Sequence, residues 1–210
     1  FKKKKYGTLE IISRQLKEGI ATGFSRPEQN HNGFKFHLND FANVMRGIAT
    51  GSNEFFFLTA QQVKEIGIPK EFLKRAVGRT KDATESVLTL KDVEALEKEN
   101  RPTFLLSING QENYPKSIKD YLKVGEEMGL PTRSLIQQRK PWYKMEKRQV
   151  PPLLFAYLGR RNTRFIKNEA GVLPLTGFLC VYPIYDDKEY IDNLWKALNH
   201  PDTLENLKLV

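Results

Sequence analysis

Nine residues, Gln137-Gln138-Arg139-Lys140-Pro141-Trp142-Tyr143-Lys144-Met145, concentrate groups able to recognise another molecule. Glutamine can pair bidentately with adenine and arginine with guanine, while aromatic rings stack or wedge between bases. Gln138, Arg139, Lys140, Trp142, Tyr143 and Lys144 are therefore candidate nucleic-acid contacts. The pattern also suits two core aromatics beside surface cations, and residue chemistry alone favours that plainer use.

Charge adds weight to this stretch. The 210 residues include 34 basic and 25 acidic side chains, a net charge of +9. Between Arg133 and Lys167 stand Arg139, Lys140, Lys144, Lys147, Arg148, Arg160, Arg161 and Arg164 as well, opposed only by Glu146. That segment holds the whole excess, and the rest of the chain is neutral. Such localisation is the footprint of a polyanion contact surface, and it brings Arg160, Arg161 and Arg164 among the candidates. Scatter over several faces after folding is the alternative.

A second constellation lies earlier, in Arg46-Gly47-Ile48-Ala49-Thr50-Gly51-Ser52-Asn53-Glu54-Phe55-Phe56-Phe57-Leu58. Two glycines, a threonine and an asparagine separate the apolar runs Phe41 to Met45 and Phe55 to Leu58. The runs read as short buried strands and the middle as a tight turn that needs backbone freedom. Arg46, Thr50 and Asn53 are candidates for fixing that turn or touching a nucleic-acid backbone.

Other chemistry finds little support. His31, His37 and His200 sit at unrelated spacings, with no metal or triad pattern. Asp202, Glu205 and Lys208 loosely resemble a nuclease motif, but the lysine is one residue too far along and the run reads as helix. No catalytic residue and no metal ligand is assigned. The lone cysteine, Cys180, lies in the apolar run Gly177 to Tyr182 and reads as a buried, inert thiol. One cysteine closes no intrachain disulfide, which suits a reducing cytoplasm. No stretch reaches the ~18 apolar residues of a membrane span.

These residues need a frame. Hydrophobic residues at 40% and aromatics at 11% describe a globular chain. Leu9, Ile12 and Leu16 have helical spacing over Thr8 to Gly19, and Gly23 to Gly33 reads as loop. Strands are expected at Phe34 to Leu38, Phe41 to Met45, Phe55 to Leu58, Thr103 to Ile108, Leu153 to Tyr157, Arg164 to Ile166 and Phe178 to Tyr182. Helices are expected from the Thr59–Gln62 capping box to Ile66, over Glu71 to Val77, from Pro115 to Met128, over Lys188 to Leu198, and from Thr203 onward. No regular βαβ alternation appears, so the fold class is α+β: a mixed, mainly antiparallel sheet with flanking helices.

The loop from Arg46 to Leu58 closely resembles the R-G-I-x-T-G-x-N-x-F-F signature that opens the target-recognition domain of TaqI-type adenine-specific DNA methyltransferases. The later order of a basic-Pro-Trp-Tyr element, the proline-led strand Pro151 to Tyr157, Arg164-Phe165-Ile166 and the late strand Gly177 to Pro183 is similar too. The resemblance covers roughly Phe36 to Pro183 and implies a TaqI-like specificity domain. It would bind double-stranded DNA beside a catalytic methyltransferase domain of the same polypeptide, in a bacterial cytoplasm and a restriction-modification setting. It divides the chain into a linker and helical segment (1–33), a recognition domain (34–185) and C-terminal helices (186–210).

The catalytic half of that family carries a glycine-rich cofactor loop and an Asn/Asp-Pro-Pro-aromatic motif. Here Pro151-Pro152 is flanked by Val150 and Leu153, and no Gly-x-Gly opens a helix after a strand. This chain is thus expected to bind no cofactor itself, with S-adenosylmethionine belonging to the parent enzyme. Starting at Phe1 with four lysines behind it, it reads as a piece of a longer polypeptide. A stand-alone nucleic-acid module, stacking single strands on Trp142 and Tyr143, is the alternative.

Overall fold

The computed structural model describes residues 2–6, 9–13, 16, 36–108, 113–157 and 163–208. It divides into two compact units, Phe1–His37 with the last two residues, and Leu38–Lys208.

In the first unit β1 (Lys2–Tyr6) and β2 (Leu9–Ser13) pair antiparallel, with Tyr6 opposite Leu9. The helix expected from Thr8 is therefore a strand over Leu9–Ser13. Leu9, Ile11 and Ile12 satisfy a hairpin as readily as one helical face, and a short run cannot separate the two.

The second unit begins with a single 3-10 turn, Leu38–Asp40. The strand expected at Phe34 to Leu38 is not formed where it is described, and residues 34 and 35 lie outside the described residues. After β3 (Ala42–Arg46) comes one helical turn, α1 (Asn53–Phe56), and then the two-residue β4 (Phe57–Leu58). The apolar run Phe55 to Leu58 is thus half helix, because the Ser52 carbonyl accepts from both Phe55 and Phe56. α2 (Ala60–Ile66) starts where expected: Thr59 and Gln62 form the reciprocal capping box, and Gly67 ends the helix at φ 72°.

The next correction is Glu71 to Val77. Only Lys70–Phe72 turns, as a 3-10 segment, and Leu73–Val77 is strand β5. Its partners explain this, for β5 lies between β7 (Phe104–Leu106) and β10 (Leu173–Pro174). A central sheet position overrides modest helical periodicity.

A four-stranded sheet has the order β10-β5-β7-β4, parallel at β10–β5 and antiparallel elsewhere. A five-stranded sheet uses β3, β11 (Leu179–Pro183), β8 (Leu153–Ala156), β9 (Arg164–Asn168) and β6 (Val87–Leu88), in that order. Only the β9–β6 pair in it is parallel. With helices flanking mainly antiparallel strands, the molecule is α+β.

α3 (Leu90–Lys98) starts at a second capping box, Thr89 with Asp92. α4 (Lys116–Glu127) follows Pro115 and stops before Gly129 at φ 69°. α5 (Lys188–Leu198) is capped by Asp187, whose carboxylate accepts from Tyr190 N at 2.8 Å, and α6 (Pro201–Lys208) follows. The Trp195 indole on α5 donates to the Phe165 carbonyl at 3.0 Å, which seats α5 on β9. Cys180 is fully buried within β11, and burial pushes its thiol up from the ordinary range.

The largest core cluster joins Phe55, Phe56, Leu105, Ile118, Leu130 and Ile136, so α1, β7, α4 and the segment after it share one interior.

Candidate nucleic-acid interface

Glycine at two positions shapes the loop between β3 and α1. A Cβ on Gly47 would stand 2.1 Å from the Leu175 carbonyl oxygen, so the backbones of the loop and of Leu175 touch there. Gly47 N donates to Phe178 O at 3.0 Å and Ile48 N to Pro174 O at 2.9 Å. Gly51 adopts φ +79°, and a Cβ there would meet Ile136 Cγ1 at 2.7 Å. Both glycines are demanded by close approach, and at Gly51 by backbone shape too.

Between them a directed chain of hydrogen bonds sets the polar groups. Ser52 N–H donates to Thr50 Oγ1 at 3.1 Å, and that hydroxyl donates to Asn53 Oδ1 at 2.5 Å. Thr50 is 2% exposed, so its role is to fix the turn. Asn53 is exposed, its oxygen is engaged, and its Nδ2 donors have no partner among the described residues.

The basic segment returns to this loop from far along the chain. Arg139 donates to the Ala49 carbonyl at 2.7 Å and lies over the Phe56 ring at 5.7 Å. Burial lowers its guanidinium from the ordinary range. Arg133 meets Glu54 at 2.8 Å and holds that carboxyl below the usual glutamate value. Arg148 donates to the Arg46 carbonyl and pairs with Glu146. Three arginines thus bond to residues of one loop. The sequence-derived candidates Arg46, Thr50, Asn53 and Arg139 are brought together, and Arg133, Arg148 and Glu54 join them.

The aromatics turn inward. Trp142 lies 5.8 Å from Phe55 and 6.2 Å from Phe56, ring centroid to centroid. Tyr143 meets Trp142 at 5.6 Å and Tyr114 at 5.9 Å. Gly125 on α4 makes room for this stack, since a Cβ there would sit 2.4 Å from Trp142. Tyr121 stacks on Phe55 at 4.4 Å and donates to its carbonyl at 2.8 Å, and burial pushes its phenol up to about 12.

What remains outward is amide and lysine. Gln137, Gln138, Lys140, Lys144 and Lys147 are all exposed. The three lysines have no charged partner among the described residues. Arg164 is spent elsewhere, donating to the carbonyls of Ala83 and, at 3.3 Å, Thr80. Lys167 pairs with Asp192 on α5 and with Glu169. Arg160 and Arg161 lie outside the described residues.

Residues 28–195 match the family described as type II methyltransferase M.Eco57I, C-terminal domain. The chain belongs to this family. The type II methyltransferase M.AccI of Acinetobacter calcoaceticus is 36% identical over 157 residues, which cover 73% of this chain and 29% of M.AccI. The chain therefore spans under a third of that curated relative. The matched M.Eco57I-type region takes in the glycine loop, the basic segment and every strand of both larger sheets.

Within this methyltransferase C-terminal domain, sequence reasoning missed Glu54 as the anchor of Arg133, although it stands inside the signature. It also missed Arg148. The available signal was the lone acid of each neighbourhood, Glu54 in the loop and Glu146 in the basic segment. Among the described residues no helix is long and apolar enough to cross a membrane, and no cluster of His, Cys, Asp or Glu could hold a metal.

Proposed function

We propose that this chain is the DNA target-recognition domain of a TaqI-type, adenine-specific, S-adenosylmethionine-dependent DNA methyltransferase of a cytoplasmic restriction-modification system. The observation that carries the reading is the docking of the signature loop onto the basic segment, with Arg139 on Ala49 O at 2.7 Å and Arg133 on Glu54 at 2.8 Å. A family signature and a polyanion-binding composition then share one surface, where lysines and amides stay exposed. Membership of a methyltransferase C-terminal domain family supports the same reading.

On this reading Lys140, Lys144 and Lys147 grip phosphates, and Gln138 and the outward face of the loop address base edges. Recognition domain and catalytic domain would share one polypeptide, the boundary falling near residue 34. The methyl donor belongs to the catalytic part. β3 does run through glycines into α1, but Gly47 is pressed on Leu175 and Thr50 is buried, so the loop offers no open cradle for a nucleoside. The residues here do not fit that cofactor.

The alternative, a single-strand binder stacking bases on Trp142 and Tyr143, is disfavoured because both rings already pack against other aromatics, tilted or edge-on. The test uses the full-length polypeptide that carries this chain, incubated with duplex DNA and S-adenosylmethionine. N6-methyladenine within one fixed sequence context is the expected product. Methylated cytosine, or transfer without site preference, would sink the assignment.

A further inference from the structure

A cleft of about 530 Å³ opens beside α1, walled by Phe57 and Pro102 and edged by Asn53, Glu54 and Arg79. Its apolar wall depends on Gly78, where a Cβ would strike Phe57 at 2.7 Å. Several polar groups at the rim are already engaged. Arg101 holds Asp82 at 2.5 Å, and the Gln62 side chain accepts from Thr59 N at 2.9 Å. Three of those that remain available matter here. Asn53 presents Nδ2, because Thr50 occupies its oxygen. Glu54 has one oxygen on Arg133; Ser52 and its own backbone also draw on the carboxylate, and of its about four lone-pair sites acceptor capacity remains. Arg79 is exposed, with no side-chain partner among the described residues.

A carboxylate is an odd neighbour for phosphate. On a surface that draws polyanions, an acid repels the backbone unless it accepts from an amino group. Donor and acceptor stand on consecutive residues here, held by Thr50 on one side and Arg133 on the other.

We propose that this cleft is a base-reading site for one adenine: Asn53 Nδ2 donates to N7, the Glu54 carboxylate accepts from the N6 amino group, and Arg79 takes the adjoining phosphate. Within one base only adenine sets an acceptor beside an amino group. A G·C pair sets guanine O6 beside the cytosine amino group only near its centre, so it is the contact to N7 at the outer edge that selects adenine. The proposal rests on the DNA-recognition reading above and adds Glu54 and Arg79 to its residues.

The experiment is selection from randomised duplexes by the full-length polypeptide, followed by affinities on single-position variants of the recovered site. Glu54→Ala should reduce discrimination at one A·T pair about tenfold and leave the other positions intact. Asn53→Asp keeps the acceptor for Thr50 and removes the outward donor, so it should relax the same pair even if Glu54→Ala fails to fold. Arg79→Ala should weaken all duplexes evenly and lower the salt slope by about one. Undiminished discrimination in the Asn53 variant, or relaxation at a G·C pair in either variant, would overturn the cleft assignment alone. A wild-type protein with no sequence preference would overturn the DNA-recognition reading as well.

Discussion

The arginines and the lysines of the stretch from 133 to 148 have different surroundings. Arg133, Arg139 and Arg148 reach back to Glu54, Ala49 and Arg46 and are consumed in holding the glycine loop. Lys140, Lys144 and Lys147 stand exposed between them without a charged partner among the described residues. Equal formal charges therefore do unequal work. A guanidinium's planar fork suits it to carbonyls and carboxylates at fixed geometry, whereas an ammonium is a mobile, hydrated point charge. Net charge located the surface, but only side-chain partners divide it into scaffold and contact.

The harshest way to break this division is to displace the loop that all three arginines hold. Gly47→Ala places a methyl group 2.1 Å from a backbone oxygen, and relief would require moving Leu175 as well. A loss of at least about 3 kcal/mol is expected in urea unfolding, with failure to fold as its extreme. A variant of near wild-type stability would mean the loop is not pinned.

Trp142→Ala comes next. It removes the ring that Phe55, Phe56 and Tyr143 pack against, at an expected cost of about 2–3 kcal/mol by thermal unfolding. Salt dependence of DNA binding should be unmoved. Wild-type stability combined with weaker single-strand binding would return Trp142 to the contact side.

The sharpest comparison sets Arg139→Ala against Lys140→Ala. Losing Arg139 strands the Ala49 carbonyl and should cost about 1.5 kcal/mol of stability while leaving the salt slope intact. Losing Lys140 should leave stability alone and lower the slope by about one. The reverse pattern would erase the distinction drawn here.

Acid supplies the smallest effect. Arg133 holds the Glu54 carboxyl below its ordinary range, so their tie is fully present above that range and is lost as pH falls through the lowered value. Both side chains are largely in water, and the pair contributes no more than about 0.5 kcal/mol before salt screening. Arg133→Ala should therefore narrow to no stability difference in acid. A gap that persists at low pH would show that Arg133 acts by packing.

Sequence showed local devices well and distant ones poorly. The Thr59–Gln62 box, Pro115 before α4, Gly129 after it and the Asp187 cap all sit within a few residues of what they control, and each element starts or stops there. Phe55 to Leu58 and Glu71 to Val77 went wrong because four apolar residues in so short a segment satisfy either period; the Ser52 carbonyl turned the first and sheet partners extended the second. The signature and the basic run were both legible, and their meeting was not. No local pattern announces that Arg139 will reach Ala49, 90 residues earlier. Asn53 shows the same limit: an exposed amide in the sequence, it anchors the buried Thr50 hydroxyl, so Asn53→Ala would confound binding with stability.

The pairing of β3 with β11 sets Arg46 opposite Leu179 and Ala42 opposite Pro183. Everything from 47 to 178, glycine loop and basic segment together, runs between the two strands of that ladder, and β8 within it pairs with the other edge of β11. Closing such an excursion becomes only slowly harder as it lengthens, about 0.6 kcal/mol for each doubling. Insertions in the connecting loops of that interval should therefore be tolerated wherever they leave both registers of β11, to β3 and to β8, unchanged.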